Sequence, residues 1–108
     1  MIENINLGKE IESNKIINFK LQIPLYLQVT IDSVILQYSV VSFREDKVTI
    51  KIWNKSPELD TDKVAGAIRK FSVLIAEQEE MRISNLYIDT HSFSTLDLSR
   101  QRHHLILR

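Results

Sequence analysis

The sequence predicts an α+β domain: an antiparallel sheet of four to five strands, with one main helix over about residues 61–79 packed on one face. Three observations predict it. Residues 34–43 and 48–53 alternate side chains around a short polar turn, the pattern of a hairpin with one face buried. Val64, Ala67, Ile68, Phe71, Leu74 and Ile75 recur at intervals of three and four, a single helical stripe. The 108 residues are 44% hydrophobic and 26% charged, and two glycines and two prolines are their only strong punctuation. A chain of that size and composition builds one core, with no linker to divide it.

Residues 2–13 read as a short amphipathic helix or a loosely ordered arm, with Gly8 weakening the helix. Ile17, Phe19, Leu21 and Ile23 fall on one side at period two, a strand over 16–23 that ends at Pro24. Leu25 to Ile31 continues extended, Leu25, Leu27, Val29 and Ile31 alternating with Tyr26, Gln28 and Thr30. In the hairpin, Val34, Leu36, Tyr38 and Val40 share one face; Ile35, Gln37, Ser39, Val41 and Phe43 share the other. Arg44-Glu45-Asp46-Lys47 is its turn. Val48, Ile50 and Ile52 then point one way, Thr49, Lys51 and Trp53 the other.

Asn54 to Asp60 is a loop by composition. Asp60 or Thr61 is placed to cap the helix, and Asp62 favours its first turn. Gly66, between two alanines, suggests close approach of helix and sheet. Residues 83–89 read as a further strand, residues 90–100 as a polar loop, and His103 to Arg108 as a final strand. The order is β(β)–β–β–α–β–β.

Charge and chemistry narrow the function. Fourteen Lys+Arg balance fourteen Asp+Glu, so no global field draws the chain to nucleic acid or an anionic membrane. There is no cysteine, hence no disulfide, thiolate nucleophile or zinc–thiolate site. No apolar run approaches the ~20 residues that span a bilayer, and the N-terminus carries no secretory signal pattern. His91, His103 and His104 lack metal-ligand spacing, since neighbours on a strand point to opposite faces. No Gly-rich phosphate loop or nucleophile elbow is present, and paired carboxylates occur only in surface-like runs such as Glu77, Glu79 and Glu80. The expectation is a protein with no catalytic, cofactor or metal site.

What remains are contact residues. Trp53, the one tryptophan, shares a face with Lys51 and reads either as packed under a helix or loop, or as an interface anchor. Arg100, Arg102, His103, His104 and Arg108 follow with no acid after Asp97, while Glu77, Glu79 and Glu80 oppose the macrodipole at the helix end. A basic edge meeting the acidic helix end of the next copy would close a ring.

From Val48-Thr49-Ile50-Lys51-Ile52-Trp53-Asn54-Lys55, through Val64-Ala65-Gly66-Ala67-Ile68-Arg69-Lys70 and Leu86-Tyr87-Ile88, to Arg102-His103-His104-Leu105-Ile106-Leu107-Arg108, the order and spacing resemble a known family. These residues look like the tail completion, or tail terminator, proteins of tailed bacteriophages. The resemblance covers about residues 25–108; the loop after Trp53 is longer and less glycine-rich, and the N-terminal arm is unmatched.

The resemblance implies a non-enzymatic virion subunit. It would form a homo-oligomeric ring, usually a hexamer, at the head-proximal end of the tail tube, stopping tube growth and meeting the head–tail connector. Its partners would be itself, the tube protein and the connector, assembled in the host cytoplasm. No membrane or sequence-specific nucleic acid is implied, and non-specific contact with DNA in the lumen stays open. The interface residues would come from Trp53, Lys51, Arg44, Arg100, Arg102, His104, Arg108, Glu79 and Glu80. A second, smaller likeness competes. Val40-Val41-Ser42-Phe43-Arg44 with Ile50-Lys51-Ile52-Trp53 is similar to a hairpin of the messenger-RNA cap-binding initiation factor. It implies a nucleotide or RNA-end binding module using Trp53 and Arg44, though that family grips its base between two tryptophans.

Overall fold

The computed structural model describes residues 21–44 and 46–100. They form one five-stranded antiparallel sheet and a single helix packed against it, an α+β arrangement. The strands are β1 (Tyr26–Ile31), β2 (Val34–Phe43), β3 (Lys47–Asn54), β4 (Arg82–Tyr87) and β5 (Phe93–Ser99). Helix α1 (Thr61–Glu79) lies between β3 and β4 in sequence. The spatial order is β1-β2-β3-β5-β4, so β5 inserts between the central hairpin and β4.

Period-two alternation builds the core. Val34, Leu36 and Tyr38 of β2, Val48, Ile50 and Ile52 of β3, and Leu96 and Leu98 of β5 are all buried beneath α1. The helix adds Val64, Ala67, Ile68, Phe71 and Ile75. Ser72, buried in mid-helix, is satisfied by donating its hydroxyl to the Ile68 carbonyl at 2.7 Å. Leu74, expected in the stripe, is half exposed.

The β1–β2 connection is a two-residue turn, Asp32-Ser33, with φ of 50° and 71°. Positive φ at both central positions marks the primed turn whose twist matches a hairpin. Lys70 of α1 reaches the Asp32 carboxylate at 2.6 Å across solvent, which depresses that acid's pKa.

Several expectations need correction. The strand over 16–23 is not formed where it can be seen. Residues 21–24 bend, and the N–H groups of Gln22 and Ile23 go to the Glu79 carboxylate rather than to a ladder. The polar loop over 90–100 is instead β5, whose hydroxyl-rich sequence hides an alternation: Ser94, Leu96 and Leu98 inward, Phe93, Thr95 and Asp97 outward. Phe43 does not share a face with Ile35 and Gln37. A bulge between Val40 and Ser42 shifts the register, so Phe43 pairs with Val48 and joins the helix side. The final strand over 103–108 and the helix or arm over 2–13 lie outside the described residues.

The helix termini also differ from expectation. Asp60 is the N-cap, yet its side chain makes no capping bond; its carbonyl accepts the Val64 N–H instead. At the C-terminus Glu80 is left-handed, with φ 58°, and Met81 N–H bonds the Ala76 carbonyl while Glu80 N–H bonds Glu77. That is a Schellman closure, with Met81 buried as its apolar partner. Gly66 is exposed, and a methyl group there would meet nothing within 4 Å. Close packing therefore does not require it, and Gly66→Ala should stabilise the fold by about 0.5–1 kcal/mol through helix propensity. A rise in thermal midpoint checks this; a fall would mean the outer face of α1 is covered.

Candidate functional site

Helix α1 covers one face of the sheet. On the opposite face the register aligns Gln28, Gln37, Trp53 and Phe93 as successive partners across four strands. The next row runs Tyr26, Ser39, Lys51, Thr95 and Tyr87 across all five. Trp53 and Phe93 stack with tilted rings, centroids 6.5 Å apart. The Lys51 ammonium sits 4.7 Å from the Phe93 centroid, a cation–π geometry. All three side chains are half-buried, while Tyr26 and Tyr87 at the two margins are more than half exposed.

This grouping follows from chain order. Trp53 and Lys51 share a face because they stand two apart on β3, and β5 delivers Phe93 because its antiparallel register pairs it with Trp53. Trp53 does not lie under the helix. Phe93, Tyr26 and Tyr87 were not among the expected contact residues. Phe93 lies inside the segment read as a loop, so only the Phe93–Thr95–Asp97 alternation could have signalled it.

The other expected residues lie elsewhere. Arg44 is at the far end of the hairpin, its N–H on the Lys47 carbonyl at 2.8 Å. Lys47 stands six residues from Trp53 along β3, so roughly 20 Å separate Arg44 from the indole. Arg100 follows β5 and donates its N–H to Asp46 at 3.0 Å, beside that same turn. Arg82, paired with Ser99, begins β4 two residues after Glu80. Among the described residues, Arg44 and Arg100 therefore lie at the same end of the sheet as Glu80. Arg102, His104 and Arg108 lie outside them.

Glu79 is the clearest departure. It is only 2% exposed and faces inward, accepting the Gln22 N–H at 2.8 Å and the Ile23 N–H at 2.8 Å. Its carboxylate is used within the molecule and is not offered to a neighbour. Tyr38 completes this anchor by donating its hydroxyl to the Pro24 carbonyl at 2.8 Å. Burial, reinforced by the Glu79 charge, pushes the Tyr38 phenol above the usual tyrosine range.

The remaining features are structural. Between Gln22–Pro24 and α1 lies an open hollow of about 290 Å³, lined by Ile23, Phe71, Leu74 and Ile75 with two glutamine side chains. Asp89 folds its own loop, accepting the His91 N–H at 2.9 Å and the Ser92 hydroxyl at 3.1 Å, which lowers its pKa. Ser56 accepts the Ile35 N–H at 2.9 Å, and Asn54 donates to the Thr90 carbonyl at 3.1 Å, so the loops at this end are cross-tied. Among the described residues no three His, Cys, Asp or Glu side chains gather to hold a metal. No helix among them is long and apolar enough to cross a membrane. No protein-family model, curated protein or solved structure matches the chain.

Proposed function

We propose that this chain is a structural subunit that works by self-association: a ring-forming component of a tailed-phage virion that ends the tail tube and joins it to the head connector. The observation that carries this reading is the sheet face opposite the helix, which no described helix covers and where Trp53, Phe93 and Lys51 form an aromatic–cationic patch flanked by Tyr26 and Tyr87. Tryptophan and tyrosine on a rigid, half-desolvated surface are the residue types that dominate protein contacts. The sequence resemblance over about residues 25–108 supplies the phage context; its other partners would be the tube and connector proteins.

Strand order adds a geometric condition. Every neighbouring pair is antiparallel, so with five strands the margins β1 and β4 run in the same direction. If copies join head to tail through these margins, β4 of one meets β1 of the next in parallel. A twofold dimer through β1 alone would be antiparallel. Neither margin strand contains proline, and Arg82 is their one charge, so the usual guards against edge pairing are sparse.

Native mass spectrometry and sedimentation of the full chain test the proposal. A closed ring that caps purified tail tubes supports it; a monomer at high concentration that never joins tubes ends it. Trp53→Ala should shift the population toward monomer while leaving circular dichroism unchanged. Loss of secondary structure instead would make Trp53 a core residue. The nucleotide-binding alternative rests on the half-exposed indole, and quenching of its fluorescence by millimolar nucleotide would favour it over self-assembly.

A further inference from the structure

We propose that β1 is a self-pairing edge: a second copy of this chain adds its own β1 antiparallel to it, about a twofold axis at Gln28, and the two sheets become one. This goes beyond the ring reading, which the aromatic face carries, and does not depend on it.

The backbone phase of β1 sets which groups it offers. The Val40 N–H donates to the Leu25 carbonyl at 2.8 Å, and Ile31 pairs with Val34 across the two-residue turn. Antiparallel ladders alternate, so Leu25, Leu27, Val29 and Ile31 turn their backbone groups to β2. Tyr26, Gln28 and Thr30 turn theirs outward, and among the described residues β1 ends the sheet. Leu25, Tyr26 and Leu27 keep 59%, 61% and 42% of their surface, and Gln28 and Thr30 are exposed too. Open ladder groups beside exposed apolar side chains are what an added strand binds.

The strand is complementary to itself. With Gln28 opposite the partner's Gln28, Tyr26 faces the partner's Thr30, so each outward amide and carbonyl meets its opposite. The same register sets Leu27 against the partner's Val29 and Leu25 against the partner's Ile31 on the helix side, covering both exposed leucines with apolar side chains. A twofold axis brings like groups together, and β1 has no charge to repel its copy. The other margin fits less well. β4 carries Arg82 and a register shift between Ile83 and Asn85, features that blunt an edge, whereas β1 has no charge, proline or register shift. Tyr26 also opens β1 in the row in which Tyr87 closes β4. Pairing β4 with β1 would therefore slide each copy by a strand length, roughly 17–20 Å.

The chain has no cysteine, so an introduced thiol can cross-link only to its own kind. Cα atoms of a hydrogen-bonded antiparallel pair stand about 5.5 Å apart, within disulfide reach. The full chain carrying Gln28→Cys should therefore form a covalent dimer on mild oxidation. Tyr26→Cys and Thr30→Cys should each cross-link severalfold less alone, because four residues, about 13–14 Å, separate each thiol from its copy. Mixed together, those two variants should cross-link to each other. Adding Leu27→Lys, a charge on the edge, should cut the mixed product severalfold with circular dichroism unchanged. Equal yields at residues 26, 28 and 30 would reflect random collision and overturn the proposal. So would the absence of a Gln28→Cys dimer at high concentration. A preference of Tyr26→Cys for the β4 variant Ile83→Cys over Thr30→Cys would seat β4 on the edge and overturn it as well.

Discussion

Phe71→Ala should lower folding stability by about 3–5 kcal/mol, the range for truncating a buried aromatic ring. Phe71 is 6% exposed and lies at the centre of the helical stripe, its ring 5.5 Å from that of Tyr38. Two losses combine: the apolar surface returned to a partly wet site, and the tilted aromatic contact. The outcome should fall near the lower end. Phe71 already lines the hollow beside Pro24, so the vacated space joins a region open to solvent rather than forming a sealed void. Phe71→Leu, which keeps most of the volume, should cost under about 1.5 kcal/mol. Denaturant midpoints measure both. A shift below 1 kcal/mol for the alanine variant would mean that α1 turns a different face to the sheet.

The second large effect concerns a carboxylate. Glu79→Ala should destabilise by about 1.5–3 kcal/mol, the value of hydrogen bonds made to a charged acceptor. The N–H groups of Gln22 and Ile23 would lose their acceptor, and the bent segment 21–24, with its Tyr38–Pro24 contact, would loosen. Glu79→Gln should recover part of the loss, because its amide oxygen accepts one N–H while its NH₂ repels the other. Amide exchange at residues 22 and 23 should quicken in both variants, more in the alanine. Unaltered exchange and midpoint in Glu79→Ala would show that the segment is held by Leu21 and Ile23 packing alone.

The strong periodicities were legible and the irregular features were not. Val48, Ile50 and Ile52 alternate cleanly, and the three- and four-residue spacing of Val64 to Ile75 leaves one face for a helix; both elements formed close to where the pattern placed them. β5 was hidden because its sequence is mostly hydroxyl and acidic. Its strand state is imposed by β3 on one side and β4 on the other, which satisfy its backbone whatever its intrinsic preference. The bulge that turns Phe43 over adds one residue to β2 with no sequence mark of its own. On the sheet face opposite the helix, Lys51 and Trp53 were readable from alternation, but Phe93 joins them only through strand pairing.

Local pattern settles what each segment can bury, since a period of two or of 3.6 follows from backbone geometry within a few residues. It carried the hairpin and the helix. Placement in space is different. That Glu79 turns inward to hold residues 57 and 56 positions away, and that Arg44 stands far from Trp53, depends on which strands pair. Such pairing is decided by closing distant contacts into one core, a condition that no short window of sequence contains.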